Sequence, residues 1–252
     1  SNYSVSLVDA GDLSGYIGEA LAGGGIFRLR DNAWTASDNG SANLTITQNT
    51  TIDLNGHTLT ISKANQFFEV QNGATLTIED SQAPQETVST NDRLWRYGNT
   101  ASLSADGSSL TYYITKSEAS GTSTTETLEV HEVPLNNAGK ILCQATSSEQ
   151  LIKVQKGGKL VLESGVLQNT GGKHVVYVDG GKVNNENGET VDKETLTMTG
   201  GYIVGGGRDG DPGGGIYVNS GKVNIQGGVV AANRGSSGGG IFVQSGTLAR
   251  LP

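Results

Sequence analysis

The sequence predicts an all-β protein, a right-handed parallel β-helix of stacked coils with about 24 residues and three strands per coil. Two observations predict this fold. First, apolar–x–apolar triplets recur at a constant step, since Ile46 and Val70, and likewise Val154 and Val178, lie 24 residues apart. Second, turn-forming residues such as Gly180-Gly181 follow the triplets, and glycine accepts the positive φ angles that a sharp corner requires.

The first strand of each coil is the clearest of the three. In each triplet two apolar residues flank a third residue, so both apolar side chains lie on one face of the strand. We expect these pairs to form one internal column and the middle residues to point outward. The pairs are Leu44/Ile46, Phe68/Val70, Ile152/Val154, Val176/Val178, Ile216/Val218 and Ile241/Val243.

Two further series of apolar pairs predict the other two strands of each coil. A single coil cannot bury its inward residues, so stacked coils must share one core. An antiparallel sandwich also has strands every 8–12 residues, but it does not explain a 24-residue repeat. The second series is Ile52/Leu54, Leu76/Ile78, Leu160/Leu162, Leu196/Met198, Val223/Ile225 and Leu248/Arg250, and the third is Leu59/Ile61, Val166/Leu167, Tyr202/Val204 and Val229/Val230.

Residues 1–252 are predicted to form one domain whose first 30 residues are a cap. Apolar residues at helical spacing between Gly11 and Ala22 predict a short capping helix, and the segment 26–29 is expected to be the first strand. At the other end, Arg250 occupies a position that is apolar in the earlier coils. We expect either that the native chain continues beyond Pro252 or that these residues protect the last strand from edge pairing.

Two insertions interrupt the repeat, a long one at about 80–150 and a short one at about 184–195. In the long insertion, Asp106-Gly107 separates two β-prone runs and predicts a hairpin. Loops on a rigid scaffold are favoured sites for binding. The alternative is that the long insertion packs against the coils and has no further role.

The composition argues against several classes of partner. A formal net charge of −8 disfavours nucleic acid and anionic membranes, because phosphates bind cationic surfaces and here the Lys and Arg residues are scattered along the sequence. No segment approaches the ~20 apolar residues that a membrane-inserted helix needs. The single cysteine, Cys143, precludes an internal disulfide, and we interpret it as a buried or unreactive thiol.

Two segments resemble a known group of proteins. The segment 51–61 (TIDLNGHTLTI) resembles the first coil of pectate-lyase-like β-helix proteins from the surface of gut bacteria, and the segments 214–218 and 239–243 resemble later coils of the same adhesin-like proteins. The resemblance covers about 26–78 and 151–248. It implies a right-handed β-helix that is secreted or displayed on the cell surface, often without demonstrated catalysis, and it specifies the fold better than the function.

The resemblance also includes polysaccharide lyases and glycoside hydrolases, so catalysis stays open. A lyase of this fold needs clustered carboxylates for Ca²⁺, and a hydrolase needs two or three close carboxylates. The outward middle positions of the second series contain one acid, Asp53. A catalytic site would therefore lie between the coils and the long insertion. Its candidate carboxylates are Glu69, Glu79, Asp80 and Asp179.

One glycine-rich loop could bind a metal ion. Asp209 and Asp211 are two residues apart in the segment 207–212, as in oxygen-ligand Ca²⁺ loops, although the rest of that motif is missing. The alternative is a solvated turn. Ca²⁺ at this loop is the one cofactor that the sequence suggests.

Aromatic residues provide the best candidates for ligand binding. Tyr177, Tyr217 and Phe242 occupy outward positions in successive coils and are predicted to stack ~4.8 Å apart, where they could receive sugar rings or pack on one another. A second group in the long insertion could bind a ligand or form the insertion's own core. This group is Trp95, Tyr97, Tyr112 and Tyr113.

The leading hypothesis is a non-catalytic, adhesin-like protein, secreted or displayed at the cell surface, that binds a glycan or another component of a host surface. Its basis is the regular scaffold with two insertions, the aromatic residues and the scarcity of clustered carboxylates. The alternatives are a polysaccharide lyase or glycoside hydrolase that acts on an acidic polysaccharide, and a structural spacer.

Overall fold

The computed structural model describes residues 5–9, 11–12, 23–35, 43–82, 101–143 and 149–250. These residues form β-strands and turns, and none of them is helical. Accordingly, this part of the chain contains no helix that could cross a lipid bilayer.

The strands are short, apart from two in the long insertion. In chain order they are β1 (Val5–Val8), β2 (Gly11–Asp12), β3 (Gly25–Leu29), β4 (Ala33–Thr35), β5 (Leu44–Ile46), β6 (Thr50–Asp53), β7 (Thr58–Ile61), β8 (Phe68–Val70), β9 (Thr75–Glu79), β10 (Ser102–Leu103), β11 (Ser109–Ser120), β12 (Ser123–Pro134), β13 (Lys140–Cys143), β14 (Ile152–Val154), β15 (Lys159–Leu162), β16 (Val166–Asn169), β17 (Val176–Asp179), β18 (Lys182–Asn184), β19 (Thr190–Asp192), β20 (Glu194–Met198), β21 (Tyr202–Val204), β22 (Ile216–Ser220), β23 (Lys222–Ile225), β24 (Val229–Ala231), β25 (Ile241–Val243) and β26 (Thr247–Arg250).

Most strands belong to three long parallel sheets. Sheet A has the order β1-β3-β6-β9-β15-β20-β23-β26, sheet B the order β2-β4-β7-β13-β16-β21-β24, and sheet C the order β5-β8-β14-β17-β22-β25. From β5 onward the chain passes repeatedly from sheet C to sheet A to sheet B, interrupted by the hairpin strands β10–β12 and β18–β19. This arrangement is compatible with the predicted β-helix.

The register of sheet C confirms the first series of apolar pairs. Val70, Val154, Val178 and Val218 are paired in sequence along the sheet, and Val243 follows in β25. The members of this column from Val70 to Val218 are completely buried. They belong to one large core that also contains the inward residues of sheets A and B.

The register of sheet A differs from the expected one at its first step. Ile52 pairs with Ile78 and Thr50 with Leu76, whereas the repeat predicted Ile52 beside Leu76. Between paired positions the first coil is two residues shorter at this corner, with six residues from Ile46 to Ile52 and eight from Val70 to Ile78. Beyond this step the second series pairs as predicted, from Leu76 and Leu160 to Leu248.

The long insertion is shorter than expected because its last part is a strand of sheet B. β13 lies between β7 and β16, and its inward residues Ile141 and Cys143 are buried. The antiparallel hairpin β11–β12 packs on the outer face of sheet B and forms a second apolar core there. This core contains Leu110, Tyr112, Val133, Leu135, Val166, Val204, Val229 and Ala231.

The hairpin explains why the third series was partly misassigned. The inward residues of sheet B include Leu167, Ile203 and Val230, whereas Val166 and Val229 face the hairpin. Adjacent apolar residues are typical of strands that are buried on both faces.

The predicted capping helix is not present where it was expected to begin. Gly11–Asp12 form strand β2, which pairs with β4, and the remainder of the predicted helix, 13–22, lies outside the described residues. The predicted first strand at 26–29 is present as β3, but β1 pairs alongside it and precedes it in the chain. The short insertion forms the small antiparallel hairpin β18–β19.

Candidate functional site

The outer face of sheet C carries a continuous row of paired side chains. Thr45, Glu69, Lys153, Tyr177, Tyr217 and Phe242 are neighbours in successive strands, as the sequence predicted. Parallel pairing sets equivalent side chains ~4.8 Å apart and points them in one direction. We refer to Tyr177, Tyr217 and Phe242 as the aromatic row.

The rings of the aromatic row contact one another in sequence. Tyr177 and Tyr217 are stacked with centroids 5.3 Å apart and an interplanar angle of 5°, and Tyr217 and Phe242 are also 5.3 Å apart with a tilt of 36°. All three side chains are only partly buried, so the row remains accessible from the solvent side. Burial, followed by the nearby Asp179 and Tyr217, raises the pKa of the Tyr177 hydroxyl.

A buried histidine supports the aromatic row from one side. The His174 ring lies 4.9 Å from the Tyr217 ring and 5.9 Å from the Tyr177 ring, and its Nδ1 is 2.6 Å from the carbonyl oxygen of Gly213. Burial lowers the pKa of His174 and is opposed by the contact with Gly213. His174 therefore joins the row to the loop 205–215, a contact that the strand repeat did not indicate.

Lys153 and Glu69 continue the row at its other end. The Lys153 ammonium group lies 5.6 Å from the centroid of the Tyr177 ring. Glu69 instead accepts hydrogen bonds from the side-chain amides of Asn43, at 3.2 Å, and Gln155, at 3.0 Å. Within the described ranges Lys153 makes no ion pair, so its charge is directed toward the aromatic row.

A separate group of carboxylates lies at the ends of the strands in sheet A. Arg28 Nε binds Asp53 Oδ2 at 2.7 Å, Asp53 pairs with Glu79, and the Glu79 carboxyl group hydrogen-bonds Glu163. Burial raises the pKa of Glu79, and the charges of Asp53 and Glu163 raise it further. Burial would also raise the pKa of Asp53, but hydrogen bonds from Ser81 and Arg28 lower it overall.

The structure does not bring the four predicted catalytic carboxylates into one group. Glu79 lies in sheet A, whereas Glu69 and Asp179 belong to sheet C. Asp179 accepts hydrogen bonds from the side chains of Asn219, at 3.0 Å, and Ser220, at 2.7 Å.

Asp80 is buried and binds backbone groups rather than other acids. Its two oxygens accept hydrogen bonds from the N–H groups of Gly56, at 2.7 Å, and Gly139, at 2.6 Å. Sequence reasoning missed the contact between Asp53 and Glu79 because the expected register placed Asp53 beside Thr77. Glu163 could have been found, since it follows Leu162, which pairs with Ile78 as predicted.

The second aromatic group does not form an exposed site in the described part of the insertion. Tyr112 is buried in the apolar core beneath the hairpin, where its ring stacks on His131 at 5.2 Å. The backbone of Tyr113 pairs with Val130 in the hairpin. Trp95 and Tyr97 lie outside the described residues.

The predicted metal loop contains an ion pair. Arg208 Nε binds Asp211 Oδ2 at 2.8 Å, and this bond lowers the pKa of Asp211. Asp209 is exposed in the same loop. Across the described ranges no three His, Cys, Asp or Glu side chains are grouped in a way that could hold a metal ion.

Comparison with protein-family models, with curated proteins and with solved structures gives no match.

Proposed function

We propose that this protein is a right-handed parallel β-helix, secreted or displayed on the cell surface, that binds a glycan along the aromatic row without cleaving it. The observation that carries the proposal is the run of three partly exposed aromatic side chains in successive strands of a parallel sheet. The resemblance of the segments 51–61, 214–218 and 239–243 to pectate-lyase-like adhesins supports the same assignment. The partner that this proposal implies is a glycan or another component of a host surface.

The chemistry of the row suits a sugar polymer. Because the Tyr177 and Tyr217 rings stack on each other, the row offers a sugar chain the exposed edges of these rings together with the tyrosine hydroxyls. The row repeats every ~4.8 Å, so a chain of sugar units can contact several rungs in the same way. His174 and the loop beside Gly213 hold the tyrosine rings from behind, which limits the side-chain entropy lost on binding.

A glycan array followed by calorimetry tests this proposal. We expect the wild-type protein to bind at least one uncharged glycan, and the double variant Tyr177→Ala with Tyr217→Ala to bind it about tenfold more weakly or worse. Val161→Ala is the matched control, because Val161 is also a partly buried outward residue but lies in sheet A. Circular dichroism verifies that each variant is folded.

Two results would contradict the proposal. One is an array on which no glycan binds the wild-type protein. The other is binding that the double variant retains in full, or that Val161→Ala weakens to the same extent.

A polysaccharide lyase or hydrolase is the second candidate, and one observation favours it. Burial, with the charges of Asp53 and Glu163, raises the pKa of Glu79, and a raised pKa favours the protonated form that a general acid uses. Release of reducing or unsaturated ends from acidic polysaccharides, lost in both Glu79→Gln and Glu163→Gln, would support catalysis. Undiminished release by these variants would exclude this site.

A further inference from the structure

Lysines that are scattered in the sequence lie close together where sheet C leads into sheet A. They come from three successive passages of the chain and from the hairpin β18–β19. We refer to them as the lysine cluster, which consists of Lys156, Lys159, Lys182, Lys193 and Lys222.

Backbone and side-chain contacts connect the members of the cluster. The N–H group of Lys222 donates to the Lys193 carbonyl at 2.7 Å, and the N–H group of Lys193 donates to the Gly181 carbonyl at 2.9 Å. The methylene groups of Lys156 lie against Gly181, so that an added Cβ there would be 3.2 Å from Lys156 Cγ. The Lys193 ammonium group donates to the Gly158 carbonyl at 3.4 Å.

Carboxylates compensate only part of this charge. Glu194 binds Lys159 and Asp192 binds Lys182, each at 3.0 Å, whereas the other three lysines form no ion pair within the described ranges. Burial lowers the pKa of Lys193, and the like charge of Lys159 lowers it further. Five lysines thus form two ion pairs with carboxylates, on a protein whose formal net charge is −8.

We propose that the lysine cluster binds a polysaccharide that carries sulfate groups. Ammonium groups from neighbouring strands can surround a sulfate, which offers three terminal oxygens and stays ionised in mildly acidic solution. The cluster contains no arginine for bidentate phosphate contacts and no aromatic ring on which a nucleobase could stack, so nucleic acid fits it less well. This proposal does not depend on the aromatic row.

Binding to three dextrans that share one backbone tests the proposal: dextran sulfate, carboxymethyl dextran and uncharged dextran. We expect dextran sulfate to bind most tightly. Its affinity should fall as salt rises from about 50 to about 200 mM, because binding releases the counterions that are condensed on the sulfated chain. In Lys156→Gln with Lys222→Gln the dissociation constant should rise about tenfold and the salt dependence should become shallower. Neither lysine forms an ion pair in the described structure, so folding should be preserved.

The control is Arg30→Gln with Lys63→Gln, which removes the same charge far along the chain from the cluster. An equal loss of dextran sulfate binding in this control would overturn the proposal, since overall charge would then explain the affinity. It would also be overturned if dextran sulfate did not bind, if carboxymethyl dextran bound as tightly, or if single-stranded DNA bound more tightly. Unchanged dextran sulfate binding in Tyr177→Ala with Tyr217→Ala separates this site from the aromatic row.

Discussion

The carboxylate of Asp80 accepts a hydrogen bond of 2.6 Å from the backbone N–H of Gly139. Asp80 directly follows strand β9 and Gly139 directly precedes strand β13, so this bond joins the two ends of the long insertion. The second oxygen of Asp80 binds the N–H of Gly56 in the turn between β6 and β7. A single buried carboxylate therefore fixes the place where the insertion leaves the sheets and returns to them.

Replacing Asp80 should destabilise the protein strongly. In Asp80→Ala the buried N–H group of Gly139 and the partly buried N–H groups of Gly56 and Gln82 lose their acceptor, so we expect the free energy of unfolding to fall by about 3 kcal/mol. Urea denaturation followed by circular dichroism measures the change. Asp209→Ala, which removes an exposed carboxylate, should shift the midpoint very little, and an equally small shift for Asp80→Ala would disprove the anchoring role.

Glu79 should contribute less to the stability of the protein at neutral pH than below pH 4.5. Its pKa in the folded state is raised above the ordinary value of 4.5, so its contribution to stability is present below pH 4.5 and is lost as the pH rises through the folded-state pKa. Glu79→Gln removes the free-energy cost of ionising this partly buried carboxyl group, and should stabilise the protein at neutral pH by less than about 1 kcal/mol. Below pH 4.5 the advantage should disappear.

Thermal unfolding of Glu79→Gln and the wild type across this pH range measures the effect. Glu126→Gln, an exposed change in the hairpin, is the control. A variant that is less stable than the wild type at neutral pH would contradict the prediction.

Acidification should weaken the loop that supports the aromatic row. The pKa of His174 lies below its ordinary 6.5, so the neutral ring is favoured in the folded state and stability falls as the pH drops from 6.5 through the folded-state pKa. Lys173 and Arg208 lower this pKa, whereas Asp211 raises it. His174→Asn, whose amide can still donate to Gly213, should lose this part of the pH dependence.

The difference between the melting temperatures of the wild type and His174→Asn, measured from about pH 8 to about pH 5, isolates the contribution of His174, because the two proteins contain the same carboxylates. An NMR titration of the His174 ring gives an independent value. A ring that titrates above 6.5, or identical pH profiles for the two proteins, would count against the assignment.

The outer half of the long hairpin should be dispensable for folding. β11 and β12 have 12 residues each, and the side chains from 117 to 127 are exposed. Lys116 pairs with Thr127, so replacing 117–126 by Asn-Gly closes a two-residue turn in the same register. We expect the free energy of unfolding to change by no more than about 0.5 kcal/mol.

Leu110→Ala, at the buried base of the same hairpin, provides the contrast and should cost about 3 kcal/mol. Equal effects of the two changes in urea denaturation would show that the outer half packs against the protein.

Sheet C could be predicted strand by strand because its apolar–x–apolar triplets stay recognisable on both sides of each insertion. Val154 and Val178 lie 24 residues apart and pair directly, and the two apolar residues of each triplet face one core. The outward row from Thr45 to Phe242 follows from the same repeat. Here the sequence pattern and the register contain the same information.

The surroundings of Asp53 could not be predicted from the pattern. A shift of two residues keeps every side chain on its original face, so Ile52 points inward whether it pairs with Leu76 or with Ile78. Only the length of the preceding corner distinguishes the two registers. For the same reason the contact between Asp53 and Glu79 was missed.

Contacts made by loops and by separate strands were also beyond the repeat. His174 reaches Gly213 through a loop whose path no periodicity describes, and the lysine cluster combines residues from different strands. β13 could have been found, since Ile141 and Cys143 alternate as in the other strands, but it was placed within the insertion.

The hairpin that covers sheet B restricts how a large ligand can approach the protein. The hairpin closes the part of sheet B that it packs against, whereas sheets C and A meet at the turns after β14 and β17, with Tyr177 on one flank and Lys182 on the other. If both proposed sites bind, a heteropolymer with an uncharged segment and a sulfated segment, long enough to cross these turns, would be tethered at two places. Each weak contact would then raise the local concentration for the other, giving an avidity that neither site has alone.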